Sequence, residues 1–228
     1  MSLAEKDNSS LQHTLPFAVP TLLLLFCLAT LLIILPKGEL HLLLCQPHTR
    51  FLDICMPFYS NLVDWLPYTI VVLLLFYRAG WSVFLASDLL LTTAIVQPIK
   101  HIFNTPRPLT WFAAEMPDAT LPLVEGVRMN YWLSFPSGHT ATFFTLFFAI
   151  SLVLMDSQLK GKRILAFLCF VLASIGAYTR IYLSQHFTLD IFGGIICALI
   201  ATLLCYYLYV PRTKNTRFWA WNVQKLRK

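Results

Sequence analysis

The sequence predicts an all-α, polytopic membrane protein with six transmembrane helices. Hydrophobic residues make up 57% of the 228 residues and charged residues only 12%, which is far from the balance of a soluble globular domain. Several apolar runs are long enough to cross a bilayer core of about 30 Å as helices. Lys and Arg residues gather beside those runs and at the chain ends, a distribution that favours membrane topology over nucleic-acid binding.

Six apolar runs are the candidates for these helices. The first is about 20 residues long and lacks the basic start and small-residue cleavage site of a secretory signal, so we expect a permanent helix. The candidate spans run approximately over residues 15–36, 62–77, 81–103, 139–155, 164–182 and 189–210. No repeat, Gly/Ser linker or low-complexity tract divides the chain, so we expect one integral-membrane domain over residues 1–228.

Two connecting segments differ from the spans in composition. Residues 39–60 mix leucine and phenylalanine with charged and histidine side chains, which predicts an amphipathic segment at the membrane interface. Residues 104–135 carry four prolines with charged and aromatic side chains, which predicts an ordered cap over one face of the bundle. Four of the six cysteines lie in apolar runs and are interpreted as packing, whereas Cys45 and Cys55 lie in a connecting segment, where a disulfide is conceivable.

The distribution of Lys and Arg predicts the orientation of the bundle. With six spans both termini lie on one side, which holds eleven of these residues, whereas the other side holds six. Because cytoplasmic loops retain the excess of basic residues, we expect cytoplasmic termini and an extracytoplasmic cap.

Three short polar stretches fall at the ends of predicted spans. They read KHIFNTPRP from Lys100, PSGH ending at His139, and TRIYLSQHFTLD ending at Asp190. The third span ends at the first stretch, the fourth begins at the second, and the fifth and sixth flank the third, so all three lie at one membrane face. Because charged side chains are costly in and beside a bilayer, this convergence indicates a functional site.

Five residues of these stretches have the chemistry of a phosphate-binding site. Lys100, Arg107 and Arg180 supply three cations, and the planar arginine forks match the oxygens of a dianionic phosphate. Ser137 and Gly138 open the fourth span, where free backbone N–H groups favour an anion and glycine permits close approach. The Ser137 hydroxyl adds one more donor.

Two histidines and a carboxylate supply the reactive groups. Asp190 follows His186 by four residues and therefore shares its helical face, so it can accept a proton from one ring nitrogen and leave the other lone pair for phosphorus. We predict that His186 is the nucleophile. His139 has no carboxylate at this spacing, and we expect it to act as general acid and then as general base.

These motifs resemble the three signatures of the type 2 phosphatidic acid phosphatase and vanadium haloperoxidase superfamily, which are K-x6-RP, PSGH and SR-x5-H-x3-D. The matching residues are Lys100, Arg107 and Pro108, then Pro136, Ser137, Gly138 and His139, then Arg180, His186 and Asp190. Thr179 replaces the serine of the third signature; it keeps the hydroxyl donor, and we expect its methyl group at the phosphate pocket. The resemblance implies a phosphohistidine intermediate resolved by water, with no metal and no cofactor.

The expected activity is hydrolysis of a phosphomonoester or pyrophosphate of a lipid at the extracytoplasmic face. The resemblance leaves several substrates open: undecaprenyl diphosphate, lipid A phosphate, phosphatidylglycerol phosphate and phosphatidic acid. Trp111, Glu125 and Arg128 in the cap are candidate headgroup contacts. Lipid phosphotransfer and phosphate transport without chemistry are the alternatives, and neither nucleic acid nor an obligate protein partner is expected.

The remaining polar residues have simpler interpretations. Asp88 precedes Lys100 by twelve residues, or about 18 Å of helix, which is too far to touch the phosphate. We expect it to bond to a neighbouring helix. Asp64 is interpreted as interfacial, with a border on the site as the alternative. His41, His48 and His101 lack catalytic company and are interpreted as structural.

Overall fold

The computed structural model describes residues 3–46, 48–213, 216, 219 and 221. Within these residues the chain is helical, with nine α-helices, a 3₁₀ turn at Leu62–Asp64 and no strand. The helices are α1 (Leu3–Ile34), α2 (Lys37–Cys45), α3 (Arg50–Asn61), α4 (Leu66–Tyr77), α5 (Ala79–Phe103), α6 (Pro108–Glu115), α7 (Gly138–Asp156), α8 (Lys162–Tyr182) and α9 (Thr188–Thr213).

The predicted all-α membrane fold is confirmed, with five or six spanning helices. In the described part of the chain, α1, α5, α7, α8 and α9 contain stretches long and apolar enough to cross a membrane. The predicted second span differs in shape. Helix α4 has only 12 residues, and it passes the same test only together with α3, from which it is bent by 54°. Pro67 in the first turn of α4 fits this break, because proline suits a helix start.

Residues 39–60 form most of α2 and α3 rather than one segment. Thr49 begins α3 by accepting a hydrogen bond from the Leu52 N–H at 3.2 Å. One face of α3 exposes Phe51, Ile54 and Phe58 at spacings of three and four residues. The opposite face meets α8, where Tyr182 donates a hydrogen bond to Asp53. Helix α3 is therefore amphipathic, as the sequence predicts.

Helix α7 is the centre of the bundle. It contacts α1, α5, α8 and α9, and nearly every side chain from Thr140 to Leu152 is buried. A helix that is apolar on all sides is expected in such a position. Phe17 of α1 stacks on Phe148 at 4.6 Å between ring centroids and meets Phe144 edge-on at 6.0 Å. Aromatic packing thus joins the first helix to the central one.

Polar contacts join α5 to its neighbours inside the bundle. The hydroxyls of Thr92 and Thr145 lie 2.8 Å apart between α5 and α7. Asp88 is fully buried against Thr202 of α9, but its carboxyl oxygens lie outside hydrogen-bond geometry among the described residues. The expected interhelical neighbour of Asp88 is present, therefore, without the well-formed hydrogen bond that we predicted.

Helix α2 carries a buried histidine close to the polar end of the bundle. The His41 ring has no exposed surface, and its Nε2 lies 3.4 Å from Ser184 Oγ. It also contacts the rings of Phe187 and Phe112. Burial, with a smaller effect from the Lys37 charge, lowers the pKa of His41 to about 4. His41 is therefore a neutral packing residue at physiological pH.

We predict that Gly176→Ala destabilises the contact between α7 and α8. A Cβ at Gly176 would lie 2.5 Å from two atoms of the Phe143 ring, which cannot move away freely because it stacks on Tyr59 at 5.4 Å. Overpacking of this kind costs about 1–3 kcal/mol. Thermal unfolding in detergent should show a lower Tm, with Ser174→Ala on the same helix as control. Equal Tm values for Gly176→Ala and the wild type would contradict this.

We also predict that the protein loses stability as the pH falls from about 6.5 to 4. In this window the unfolded chain protonates His41, whereas the folded chain keeps it neutral down to a pKa of about 4. The unfolded state therefore binds more protons, and acid favours it. The decline in Tm should be shallower for His41→Gln than for the wild type or for the exposed His101→Gln control. If Tm falls equally with pH in the wild type, His41→Gln and His101→Gln, His41 does not cause the loss of stability.

Candidate active site

The three polar stretches meet in a cleft of about 310 Å³ at one end of the bundle. The carboxyl end of α5, the amino end of α7 and the loop 183–187 between α8 and α9 form its walls. The predicted site residues that line it are Lys100, Arg107, Gly138, His139 and His186. Arg180 and Asp190 stand behind this wall and are buried, with 6% and 4% of their surfaces exposed. The helix ends therefore bring together the residues that the sequence predicts.

Lys100 is held at the end of α5 by the backbone of the cap. Its Nζ donates to the Leu133 carbonyl at 2.7 Å. Asn104 then ends the helix in the left-handed conformation, at φ 38°, and its N–H bonds to the Lys100 carbonyl at 2.9 Å. The ammonium group keeps two further N–H donors for a ligand.

Arg107 connects the cap to the loop 183–187. Its Nε donates to the Trp132 carbonyl at 2.9 Å, and its Nη1 donates to the carbonyl and the side-chain oxygen of Gln185 at 3.2 and 3.1 Å. Gln185 in turn donates from Nε2 to the Arg128 carbonyl at 3.0 Å. One edge of the Arg107 guanidinium is thereby fixed by the protein.

Arg180 is fixed from the side of α3. Its Nη1 donates to Ser60 Oγ at 2.6 Å, while its buried Nε has no hydrogen-bond partner among the described residues. Buried polar groups are almost always paired, so an unpaired guanidinium nitrogen suggests that a ligand completes it. An anion is the complementary ligand for three neighbouring cations.

His186 and Asp190 lie side by side, but the predicted hydrogen bond between them is not formed among the described residues. His186 Nδ1 lies 3.4 Å from Asp190 Oδ2. The same carboxyl oxygen accepts hydrogen bonds from the Ser134 hydroxyl and from the Phe187 N–H at 2.8 Å. The bond to Phe187 resembles half of a capping box, because a residue in the first turn of α9 reaches back to the residue before it. Asp190 thus fixes the loop as well as facing the imidazole.

Burial sets the protonation state of His186. Only 1% of its surface is exposed, and desolvation, followed by the charges of Arg107, Arg180 and Lys100, lowers its pKa well below the usual 6.5. Each of these effects disfavours the imidazolium form. His186 is therefore neutral at physiological pH and retains a ring lone pair, as a nucleophile requires.

The PSGH stretch begins α7 with a change to one predicted role. Ser137 Oγ accepts hydrogen bonds from the N–H and the hydroxyl of Thr140, at 3.3 and 2.9 Å, so the serine is the N-cap of α7. It is fully buried and does not line the cleft, unlike Gly138 and His139. We had expected Ser137 to face phosphate; its hydroxyl instead supports the helix start that presents His139.

Other sequence expectations fall outside the cleft. Thr179 is buried and donates to the Gly176 carbonyl at 2.7 Å. We had expected its methyl group at the phosphate pocket, but Thr179 does not line the cleft.

The candidate headgroup residues also lie away from the cleft. Trp111 packs against Lys37 and Phe187. Glu125 and Arg128 lie exposed in the cap. None of these three candidate headgroup residues lines the cleft. Asp64, by contrast, does line it, which is the alternative that the sequence left open.

Three supporting residues have no sequence signal of their own. Ser134 bonds to Asp190, Gln185 to Arg107 and Ser60 to Arg180. Ser134 lies two residues before the PSGH stretch and Gln185 lies within the third stretch, but no helical spacing points from either to its partner. Ser60 is separated from Arg180 by 120 residues. Only the fold relates them.

The cysteines do not form the conceivable disulfide. Cys45 and Cys55 are free thiols, and burial raises the pKa of Cys45 to about 11, which keeps it a thiol at physiological pH. No group of three or more His, Cys, Asp or Glu side chains in the described residues is arranged to hold a metal ion.

Several known proteins are similar to this chain. The family model described as the PAP2 superfamily matches residues 81–214. A lipid A 4'-phosphatase of Bacteroides thetaiotaomicron is 28% identical over 166 residues, which cover 71% of each chain. The Escherichia coli K12 protein YbjG, whose name describes a candidate undecaprenyl-diphosphatase, is 29% identical over 100 residues. That match spans 42% of this chain and about half, 47%, of YbjG.

The fold has a solved counterpart. The crystal structure of Aquifex aeolicus LpxE superimposes with a TM-score of 0.59 and 26% identity, over 74% of this chain and 93% of LpxE. The family match covers more than half of the chain and includes all three signatures at one end of an apolar helical bundle. This chain therefore belongs to the PAP2 superfamily.

Proposed function

We propose that this protein is a membrane-embedded lipid phosphatase that hydrolyses a phosphomonoester or pyrophosphate through a phosphohistidine at His186. The observation that carries the proposal is a buried His186 at 3.4 Å from Asp190, in one cleft with a second histidine and two cations. A site built only to bind phosphate would need the cations but no nucleophile. The names of the relatives, which describe phosphatases, support the same reaction class.

The proposed reaction begins with capture of the phosphate by three cations. Lys100, Arg107 and Arg180 each already make one or more bonds to the protein, so they are held in place before the substrate arrives. The donors that remain would contact the phosphate oxygens. Preorganised charges of this kind stabilise the charge that develops in the transition state without reorganising.

Phosphoryl transfer would then use both histidines. The His186 Nε2 lone pair attacks phosphorus, and Asp190 stabilises the positive charge that the ring acquires. The bond from phosphorus to the leaving oxygen breaks, and His139, which must enter this step as imidazolium, gives that oxygen a proton. In the second step His139 takes a proton from water, the resulting hydroxide attacks phosphorus, and the P–N bond breaks to restore neutral His186 and release inorganic phosphate.

The proposed location of the site is the extracytoplasmic face. Lys160, Lys162 and Arg163 lie in and beside the α7–α8 connection, at the end of the bundle away from the cleft. Arg78 lies at that same end, where it bonds to Asp156 at 3.0 Å. This arrangement supports cytoplasmic termini under the positive-inside rule. The phosphate would then be removed outside the cytoplasm.

We predict that His186→Ala lowers phosphate release by at least about a thousandfold, because no other group would form the covalent intermediate. The assay uses the purified chain in detergent with EDTA and four lipids: phosphatidic acid, phosphatidylglycerol phosphate, lipid A and undecaprenyl diphosphate. The exposed His101→Ala is the control. The intermediate should be trapped as acid-labile, base-stable label on the wild type only.

Several outcomes would overturn this proposal. Full activity in His186→Ala would remove the nucleophile from this position. Activity that is lost in EDTA and restored by a divalent metal ion would contradict a metal-independent reaction. A phosphorylated acceptor lipid would indicate phosphotransfer, and uptake of phosphate into vesicles without release from lipid would indicate transport.

We predict that Ser134→Ala lowers kcat by about 10- to 100-fold, because a hydrogen bond to a charged group contributes about 1.5–3 kcal/mol. Ser134 is a positioning residue, since it acts through Asp190. KM should change little, and Ser134→Thr should restore part of the rate. Ser174→Ala is the matched control, because its hydroxyl bonds only to a carbonyl of its own helix. An unchanged kcat would show that Asp190 does not need this donor.

A further inference from the structure

A second pocket borders Asp190 and is separate from the catalytic cleft. Its volume is about 200 Å³. Asp190 lines this pocket, whereas it does not line the cleft. The other walls are mostly apolar, with a single charged side chain, and are formed by Lys37, Phe103, Thr105, Pro106, Phe135, Phe187 and Leu189. Lys37 is therefore a charged neighbour of Asp190 that a phosphate in the cleft does not occupy.

Two aromatic rings hold the Lys37 ammonium at this place. Its Nζ lies 4.0 Å from the centroid of the Phe187 ring and 5.0 Å from that of the Trp111 ring. The two rings meet edge-on, with 5.5 Å between their centroids. An ammonium group is attracted to the faces of aromatic rings at such distances. The Lys37 side chain is exposed in part, but its charge is thus held beside the loop that carries His186.

Phe187 connects Lys37 to the carboxylate. Its ring contacts the Lys37 ammonium, and its N–H donates to Asp190 Oδ2 at 2.8 Å. Burial lowers the pKa of Lys37 from the usual 10.5, and the charge of Asp190 is the largest effect in the opposite direction, followed by that of Glu115. Lys37 and Asp190 therefore attract each other across the pocket.

The proposed reaction requires a cation that stays with Asp190 when phosphate binds. Asp190 is only 4% exposed, and an ionised carboxylate in such a place is costly without a positive charge nearby. The bound phosphate would occupy Lys100, Arg107 and Arg180, and its own negative charge would repel the carboxylate. Lys37 lies outside the cleft, so its charge remains available to Asp190.

The position of Lys37 also matters for the imidazole. The charges of Arg107, Arg180 and Lys100 lower the pKa of His186, so they oppose the positive charge that the ring acquires when it attacks phosphorus. Lys37 is not among the charges that lower it. A cation in the second pocket therefore compensates the carboxylate without belonging to the group that disfavours the imidazolium.

We propose that Lys37 is a positioning residue of the reaction, whose ammonium keeps Asp190 ionised while phosphate occupies the three cations of the cleft. Asp190 then stabilises the positive charge that His186 acquires. This inference rests on the proposed phosphatase function and deepens it. Lys37 lies outside the three motifs and outside residues 81–214, which the family model matches.

Two variants separate the charge of Lys37 from its packing. Lys37→Met keeps a long, flexible side chain that packs well on aromatic rings but removes the charge. We expect it to lower kcat by about 5- to 20-fold with little change in KM, because the charge acts on the chemical step and not on capture of the lipid. Lys37→Arg keeps the charge and the cation–π contacts, and it should retain most of the wild-type rate.

The measurement is phosphate release by the purified full chain in detergent, with the lipid that reacts fastest in the assay above. Arg50→Met is the matched control, because it removes a positive charge from an exposed position at the start of α3. Its kcat and KM should equal those of the wild type. Tm in the same detergent shows whether each variant is folded.

A chemical rescue tests whether the ammonium itself is needed. Lys37→Ala removes the side chain and leaves space beside the two rings. Added n-propylammonium chloride should raise kcat of this variant at least about threefold over the same concentration of sodium chloride. 1-Propanol has a similar shape without the charge and should not restore the rate. Wild-type kcat should not respond to the amine.

The outcomes separate this inference from the phosphatase proposal. Wild-type kcat in Lys37→Met, a change in KM alone, equal losses in Lys37→Met and Lys37→Arg, or a rescue that 1-propanol matches or that the amine fails to give, would overturn the inference while release still depended on His186. Release from no lipid, or release that persists in His186→Ala, would overturn the phosphatase proposal and the inference with it.

Discussion

The site depends above all on the carboxylate of Asp190. One of its oxygens accepts from the Ser134 hydroxyl and the Phe187 N–H and lies 3.4 Å from His186 Nδ1. It therefore connects the start of α9, the loop that carries the histidine and the end of the cap. Because the carboxylate is buried, each of these bonds is stronger than it would be in water, and losing one leaves an expensive unpaired charge. Asp190 thus holds the local structure together and also places a negative charge beside His186.

Each of the three cations is held by hydrogen bonds to the protein on one side, which leaves its other donors for the ligand. Lys100 and Arg107 bond to carbonyls of the cap, and Arg180 bonds to Ser60 of α3. Three like charges close together repel one another, so the carbonyl oxygens and the Asp190 carboxylate hold together a cluster that would otherwise separate. A dianionic phosphate supplies the remaining compensation. Mutual repulsion of the three cations therefore favours binding of an anion.

Hydropathy and the three motifs predicted the membrane fold and the convergence at one end of the bundle, because both follow from span length and helix order. The His186–Asp190 pair was predictable from its spacing. The roles of Ser137 and Thr179 were not, because a hydroxyl in a motif can face a ligand or cap a helix, and only the local backbone decides. The sequence also could not predict the supporting roles of Ser60, Ser134 and Gln185. Their partners lie across loops, and helical periodicity does not predict the conformation of a loop.

The most informative difference from the sequence prediction is the break between α3 and α4, since it creates part of the site. Residues 62–77 were expected to form the second span, but the 3₁₀ turn and the 54° bend place Val63 and Asp64 at the cleft. Tyr68, in the first turn of α4, lines the cleft as well. The bend leaves the cleft bordered by a short helix on the side of the bilayer. Under the proposed function, a lipid presents its phosphate to His186 beside this short helix while its chains remain in the membrane.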